Sequence, residues 1–421
     1  MAASQTPEPV QPEVVFPEID FGIDDVPDFH ERMAALREAG HRVVPVRYIG
    51  GVAWVILRWD DVAAAYMDEA SLPAAPAYRR HSEPVQGKTL LCMEGDEHRV
   101  NRLLVSKAFQ PAAIRRMAES LLLPLANELV DALHGQTEVD LVEAYTHRYP
   151  FAVIARMLGI PVADHDRLVA WVDGLFAFPW DPEGALRASR DFSQFLAPLV
   201  AERRRQPGDD LISTLATAEA EGQRLSDEAI FSFIRLLFPA GADTTYLSIG
   251  SLMLTVLRDA ALRQRLLDEP QERIWAVEES LRLNGTIGFQ PRYTEKAVRI
   301  ASVEIPADSW LLYGNAPANH DSAVFEDGDA FRLERRPDRL LSFGRGMHFC
   351  LGSHLARAEM QVSLSVLLDR LEGLRLLAPE TTRITQCVLR GPRAMRVGFD
   401  RVRPASAVRA AVRIGRGGGA E

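Results

Sequence analysis

The stretch "FGRGMHFCLG", Phe343–Gly352, decides the reading of this chain. It sets Cys350 directly before a helical pattern, "LGSHLARAEMQVSLSVLLDRL", with Gly344 and Gly346 ahead of it. Glycines here permit positive φ and close backbone approach. Loop amides and the positive end of the helix then turn toward the sulfur and stabilise a thiolate. Phe343 and Phe349 would shield it. A sulfur held in this way is a ligand for a metal such as iron. Two other readings fit the same residues. One is a buried structural thiol beside a helix start. The other is zinc held by His348, Cys350 and His354, although the segment lacks a fourth ligand at the usual paired spacing.

A second stretch raises a matching question. "FPAGADTTYL", Phe238–Leu247, lies inside an apolar segment that reads as one helix from about Ser226 to Leu257. At about 1.5 Å per residue this helix would span roughly 48 Å, enough to cross the molecule. Ser226 is a good N-cap, and acids follow in the first turn. Gly, Asp and Thr each cost helix stability relative to Ala or Leu. Their clustering at mid-helix marks a site rather than a scaffold.

The rest of the chain sets the frame. Its 421 residues are 47% hydrophobic and 25% charged, the composition of a globular protein with ample core. No window approaches ~18 consecutive apolar residues, so no membrane span is expected. The first residues, "MAASQTPEPVQPEVVFPEID", lack the regions of a signal peptide and read as a flexible arm over 1–19, in a cytoplasmic protein. Three cysteines are too few for a disulfide framework. With 48 basic and 58 acidic residues, the charge of −10 argues against a dedicated nucleic-acid binder. The end, 401–421, reads as a disordered basic tail.

"VPDFHERMAALREAG" reads as a helix closed by Gly40, and "RVVPVRYIGGVAWVILR" as a hairpin turned at Gly50-Gly51. Residues 70–95 read as a long loop. From about Asp96 to Leu283 the pattern is nearly all helical. Short β-rich pieces, a Pro-, Arg- and Asp-rich meander and a final helix follow. The expectation is a mainly α chain with small β-sheets at both ends, forming a single domain over 20–400.

The six fixed positions Phe343, Gly344, Gly346, His348, Cys350 and Gly352 match F-G-x-G-x-H-x-C-x-G. Through them the chain resembles the haem-thiolate cytochrome P-450 monooxygenases, with bacterial spacing over about residues 20–400. The resemblance implies that family's fold, with the long central helix over haem b and the cysteine loop beneath it. It implies Cys350 as the iron ligand. It further implies insertion of one atom of O2 into a hydrophobic organic substrate, by hydroxylation or epoxidation, in secondary metabolism or in xenobiotic, terpenoid or steroid oxidation. Electrons would come from NAD(P)H through a reductase and a separate ferredoxin or flavodoxin, to a monomer.

The same resemblance assigns further residues. "AGADTT" matches A-G-x-D/E-T-T, which implies that Asp243 relays protons and Thr244 positions them during oxygen activation. Gly241 removes bulk there, and the Thr244 hydroxyl bonds back toward the Ala240 carbonyl, opening the helix ladder. His98 and Arg102, spaced as H-x-x-x-R, with Arg292 and His348, stand where the family contacts the haem propionates; paired N–H donors suit a carboxylate. Glu279 and Arg282 of "EESLR" resemble the buried structural pair. Ala330 sits where a third, arginine partner is common, and Arg345 is the expected substitute. Family position places the substrate by the 70–91 segment, "LFAFPW" near 175–180, Leu237, Ala240, Thr286, Ile287 and Phe289. Lys107, Arg115, Arg116, Arg345 and Arg357 form a candidate basic patch for an acidic electron donor.

Overall fold

A two-residue turn starts the sheet. Val43–Tyr48 pairs antiparallel with Gly51–Ile56, and Tyr48 faces Gly51, so Ile49 and Gly50 make the turn rather than Gly50 and Gly51. Both have positive φ, 49° and 74°, which the twist of such a hairpin requires. Gly51–Ile56 then pairs parallel with Ser309–Tyr313, which pairs antiparallel with Gln290–Thr294. One four-stranded sheet is therefore assembled from opposite ends of the chain, where the sequence suggested separate sheets. The computed structural model describes residues 13–161, 165–176, 178 and 181–409.

The remainder is dominated by helices. Ser226 caps Asp227–Phe238 by accepting from Ala229 N, as expected. The central helix does not run uninterrupted to Leu257: a π-helical segment, Pro239–Asp243, joins Asp227–Phe238 to Thr244–Arg258. Ser353–Arg370 follows the cysteine loop and packs against Thr244–Arg258, with Arg273–Leu283 against both. A large apolar cluster fills the spaces between these helices. A smaller one, around Phe21, Phe29 and Phe289, supports the sheet.

Three expectations need correction. Residues 70–95 are not one loop: Ala75–His81 and Glu83–Gln86 are helical, and Ala74, Ala75 and Ala77 are fully buried. The tail does not begin at 401, because Arg401–Val402 pairs with Leu371–Glu372 and Arg409 N donates to Asp369 at 2.9 Å; residues 410–421 lie outside the described residues. Of the expected arm, 1–12 lie outside them too, while Val15 N donates to Pro45 O. Among the described residues no helix is long and apolar enough to cross a membrane.

Candidate active site

The break in the central helix has three causes in its own sequence. Pro239 has no N–H to give to the preceding turn. Thr244 Oγ1 donates to Ala240 O at 2.6 Å and so competes with the backbone ladder. Gly241 weakens the helix locally, and a Cβ there would lie 2.8 Å from Ile154 Cδ1, the far end of a side chain that would have to shift. Asp243, the last residue of the π segment, is half-buried.

Opposite this notch sits the cysteine loop. Gly344 and Gly346 adopt φ of 66° and 69°. A side chain at Gly346 would also run into the Tyr66 carbonyl, 2.6 Å away. Cys350 N donates to Phe343 O at 2.9 Å, which closes the loop. Burial pushes the Cys350 thiol up, against the Gly352 N–H and the Arg102 and Arg357 cations, which favour the thiolate. A metal on the sulfur adds to that side of the balance. Arg357 stacks on Phe343 at 4.4 Å and pairs with Glu278 at 2.6 Å.

One cavity of about 330 Å³ is lined by both Cys350 and Thr244. Arg102, Arg292, His348, Phe343 and Gly344 also line it, as do Leu237, Ala240, Thr286 and Ile287. His98 lies beside them, its ring 4.3 Å from that of His348. The residues fit a thiolate-ligated haem on an observation of their own. His98 Nε2 and Arg292 Nε are buried without partners, donors left for an acidic group. Gly352 also lines the cavity, and a Cβ there would meet nothing within 4 Å, so its lack of a side chain serves the cavity. Glu69 accepts from His348 at 3.2 Å, a contact the sequence did not reveal.

The buried ion pair forms and gains an unexpected member. Glu279 and Arg282 are both fully buried and joined at 2.8 and 3.0 Å. The third partner is Arg335, whose Nε lies 3.0 Å from Glu279 Oε1, not Arg345. Ala330 contributes its carbonyl, which accepts from Arg282 and Arg335. Arg345 instead covers the Trp59 ring at 5.5 Å.

Phe289 is the other correction. It is 1% exposed and makes edge contacts with Phe29 and Phe21, at 5.5 and 6.2 Å, in the cluster beneath the sheet. It does not line the cavity. Within "LFAFPW", Ala177, Pro179 and Trp180 lie outside the described residues, and Leu175 belongs to the main core. Sequence reading missed Gln290, which lines the cavity and donates to Tyr78 Oη. It also missed Glu359, a cavity-lining carboxyl whose Oε2 is buried without a partner and whose pKa burial raises well above the usual range. A carboxylate in the middle of an apolar helical face was the available signal.

The cytochrome P450 family model matches residues 21–395. The mycinamicin IV hydroxylase/epoxidase of Micromonospora griseorubida is 37% identical over 360 residues, 82% of this chain and 88% of that protein. Among solved structures, the P450 PksS of the Bacillus subtilis 168 bacillaene polyketide synthase superimposes with TM-score 0.83 at 28% identity, over 89% of this chain and 97% of that one. The myxobacterial cytochrome P450 CYP267B1, solved with myristic acid, gives 0.82 at 30% identity, over 89% and 96%.

Proposed function

The chain belongs to the cytochrome P450 family and is a P450 monooxygenase, and from that premise we propose the roles of its residues and the kind of molecule it oxidises. The observation that carries the reading is the single cavity bounded by Cys350 on one wall and the Thr244 notch on another. Cys350 is the residue that would ligate haem iron. When bound, that haem supplies the oxygen-activating chemistry, with electron push from the thiolate. Arg102, Arg292, His98 and His348 would hold its propionates through charge-assisted hydrogen bonds. Thr244 then holds a proton donor at the cavity wall, and Asp243 brings protons to it from the solvent side.

The substrate is a hydrophobic molecule or one with a large apolar part. Leu90, Ile154, Phe233, Leu237 and Ile287 supply apolar wall, while Thr286 and Gln290 supply a few polar atoms. One similar protein is named for hydroxylation/epoxidation of mycinamicin IV, and another was solved in complex with myristic acid. Electrons come from NAD(P)H through a reductase and a small acidic carrier, a ferredoxin or flavodoxin. Lys107, Arg115 and Arg116 are exposed for such docking; Arg357, paired with Glu278, is withdrawn from the patch. Reconstitution with a ferredoxin and its reductase tests the reading: reductant consumption matched by oxygenated product from an apolar compound library supports it. Haem-loaded protein that binds such compounds, accepts electrons and yields no oxygenated product contradicts it.

A further inference from the structure

Behind the cavity wall lies a buried basic cluster that the oxygen chemistry does not use. Arg390 is 5% exposed, yet among the described residues no carboxylate hydrogen-bonds to it. Its Nη2 lies 2.8 Å from His30 Nε2, its Nη1 3.3 Å from Gln386 O, and its guanidinium 4.4 Å from the Phe29 ring. An arginine only donates, so His30 Nε2 must accept, and the ring is the neutral tautomer with its proton on Nδ1. That Nδ1 is buried without a partner.

The same arginine touches the wall through its backbone. Arg390 N donates to Thr286 O at 2.8 Å, Gly288 N donates to Val388 O at 2.9 Å, and Ile287 bridges Leu389. Thr286 Oγ1 in turn lies 2.8 Å from Ser248 Oγ on the central helix. Thr286, Ile287 and Ser248 all line the cavity.

We infer that His30 and Arg390 are positioning residues that set the Thr286–Ile287 wall of the cavity, and that protonation of His30 releases it. A proton on Nε2 would place two donors, both cationic, 2.8 Å apart in a buried site. The pair must then separate, and the segment that carries Arg390 loses its hydrogen bond to the first helix, Phe29–Glu38.

The charges around His30 favour this outcome. His320 stacks on it at 3.8 Å, and Arg37 on its own helix and Arg282 on the Arg273–Leu283 helix add positive potential. The acids stand one step away. Asp329 is bonded to His320 at 2.6 Å, Asp321 to Arg58 at 3.1 Å, and Asp25 to Arg383 at 2.6 Å. Cys387 and Asp25 act on Arg390, favouring its charged form. Burial and these cations hold His30 well below its usual pKa, so release belongs to the acid side of neutrality. The consequence for substrate rests on this cavity being the substrate site; the wall movement does not.

Hydrogen exchange of the haem-loaded enzyme tests it from about pH 7.5 to about pH 5, after correction for intrinsic rates. The wild type should lose roughly tenfold or more of its protection in peptides covering 285–291 and 386–392, while the 343–352 loop keeps its protection. His30→Gln, neutral throughout and still an acceptor, should hold that protection at both ends of the range. His320→Gln should leave the loss in place. An unchanging wild type, or an equal loss in His30→Gln, overturns the inference. Direct titration of nitrogen-labelled histidine in the wild type needs no variant, and a His30 that takes up its proton while the wall keeps its protection overturns it equally.

Discussion

Thr244 Oγ1 donates to Ala240 O at 2.6 Å, four residues back along a helix that Pro239 has already interrupted. The hydroxyl is thereby fixed at the cavity wall with its oxygen free to accept. Its removal should separate electron flow from product. Thr244→Ala is expected to keep oxidising reductant while product per reductant falls about tenfold or more, with peroxide made instead. Thr244→Ser keeps the hydroxyl and should retain a large part of the coupling. Parallel assays of NAD(P)H, peroxide and product decide this.

The Glu279 cluster gives a stability prediction. Glu279 is fully buried, and Arg335 supplies one of its charged hydrogen bonds. Arg335→Ala should cost about 2 kcal/mol. Arg345→Ala, which removes only a contact on Trp59, should cost less than about 1 kcal/mol. Denaturant unfolding of the two variants separates them; equal effects would restore Arg345 to the cluster.

Acid should destabilise the haem-free chain in a direction that His98 sets. Burial, then His348 and Arg102, lower its pKa from 6.5 to about 4. The unfolded chain therefore binds this proton first. Stability is full above about pH 6.5 and falls as pH drops toward about 4, and His30 acts in the same sense. His98→Gln should flatten that slope in urea unfolding measured across the range.

Cofactor retention should depend on the buried donors. Arg292 is 3% exposed and lines the cavity with an unpartnered Nε. Arg292→Ala should release haem about tenfold faster than wild type, and Arg292→Lys should fall between, because lysine keeps the charge without the planar fork. Transfer of haem to an apo-globin acceptor measures the rates.

The cysteine loop was legible because its steric demands are local: positive φ at Gly344 and Gly346 can be read from glycine itself. The Ser226 cap was legible for the same reason. Arg335 was not, since the meander has no period and the third arm of the Glu279 cluster is set by where an irregular backbone passes. Phe289 was misplaced because side chains along this stretch turn to different sides: Ile287 and Gln290 line the cavity, while Phe289 between them turns beneath the sheet. The helices within 70–95 escaped because short, alanine-rich turns carry little apolar periodicity and owe their order to burial. His30 and Arg390 lie far apart in sequence and carry no motif.

Sulfur coordination by Cys350 is read from the absorption spectrum of the reduced, carbon monoxide-treated protein. The wild type should show the strongly red-shifted Soret band of thiolate-ligated haem, and Cys350→Ser should lose it with the fold retained. A wild-type spectrum lacking that band after expression with ample haem, or an unchanged band in Cys350→Ser, would contradict it.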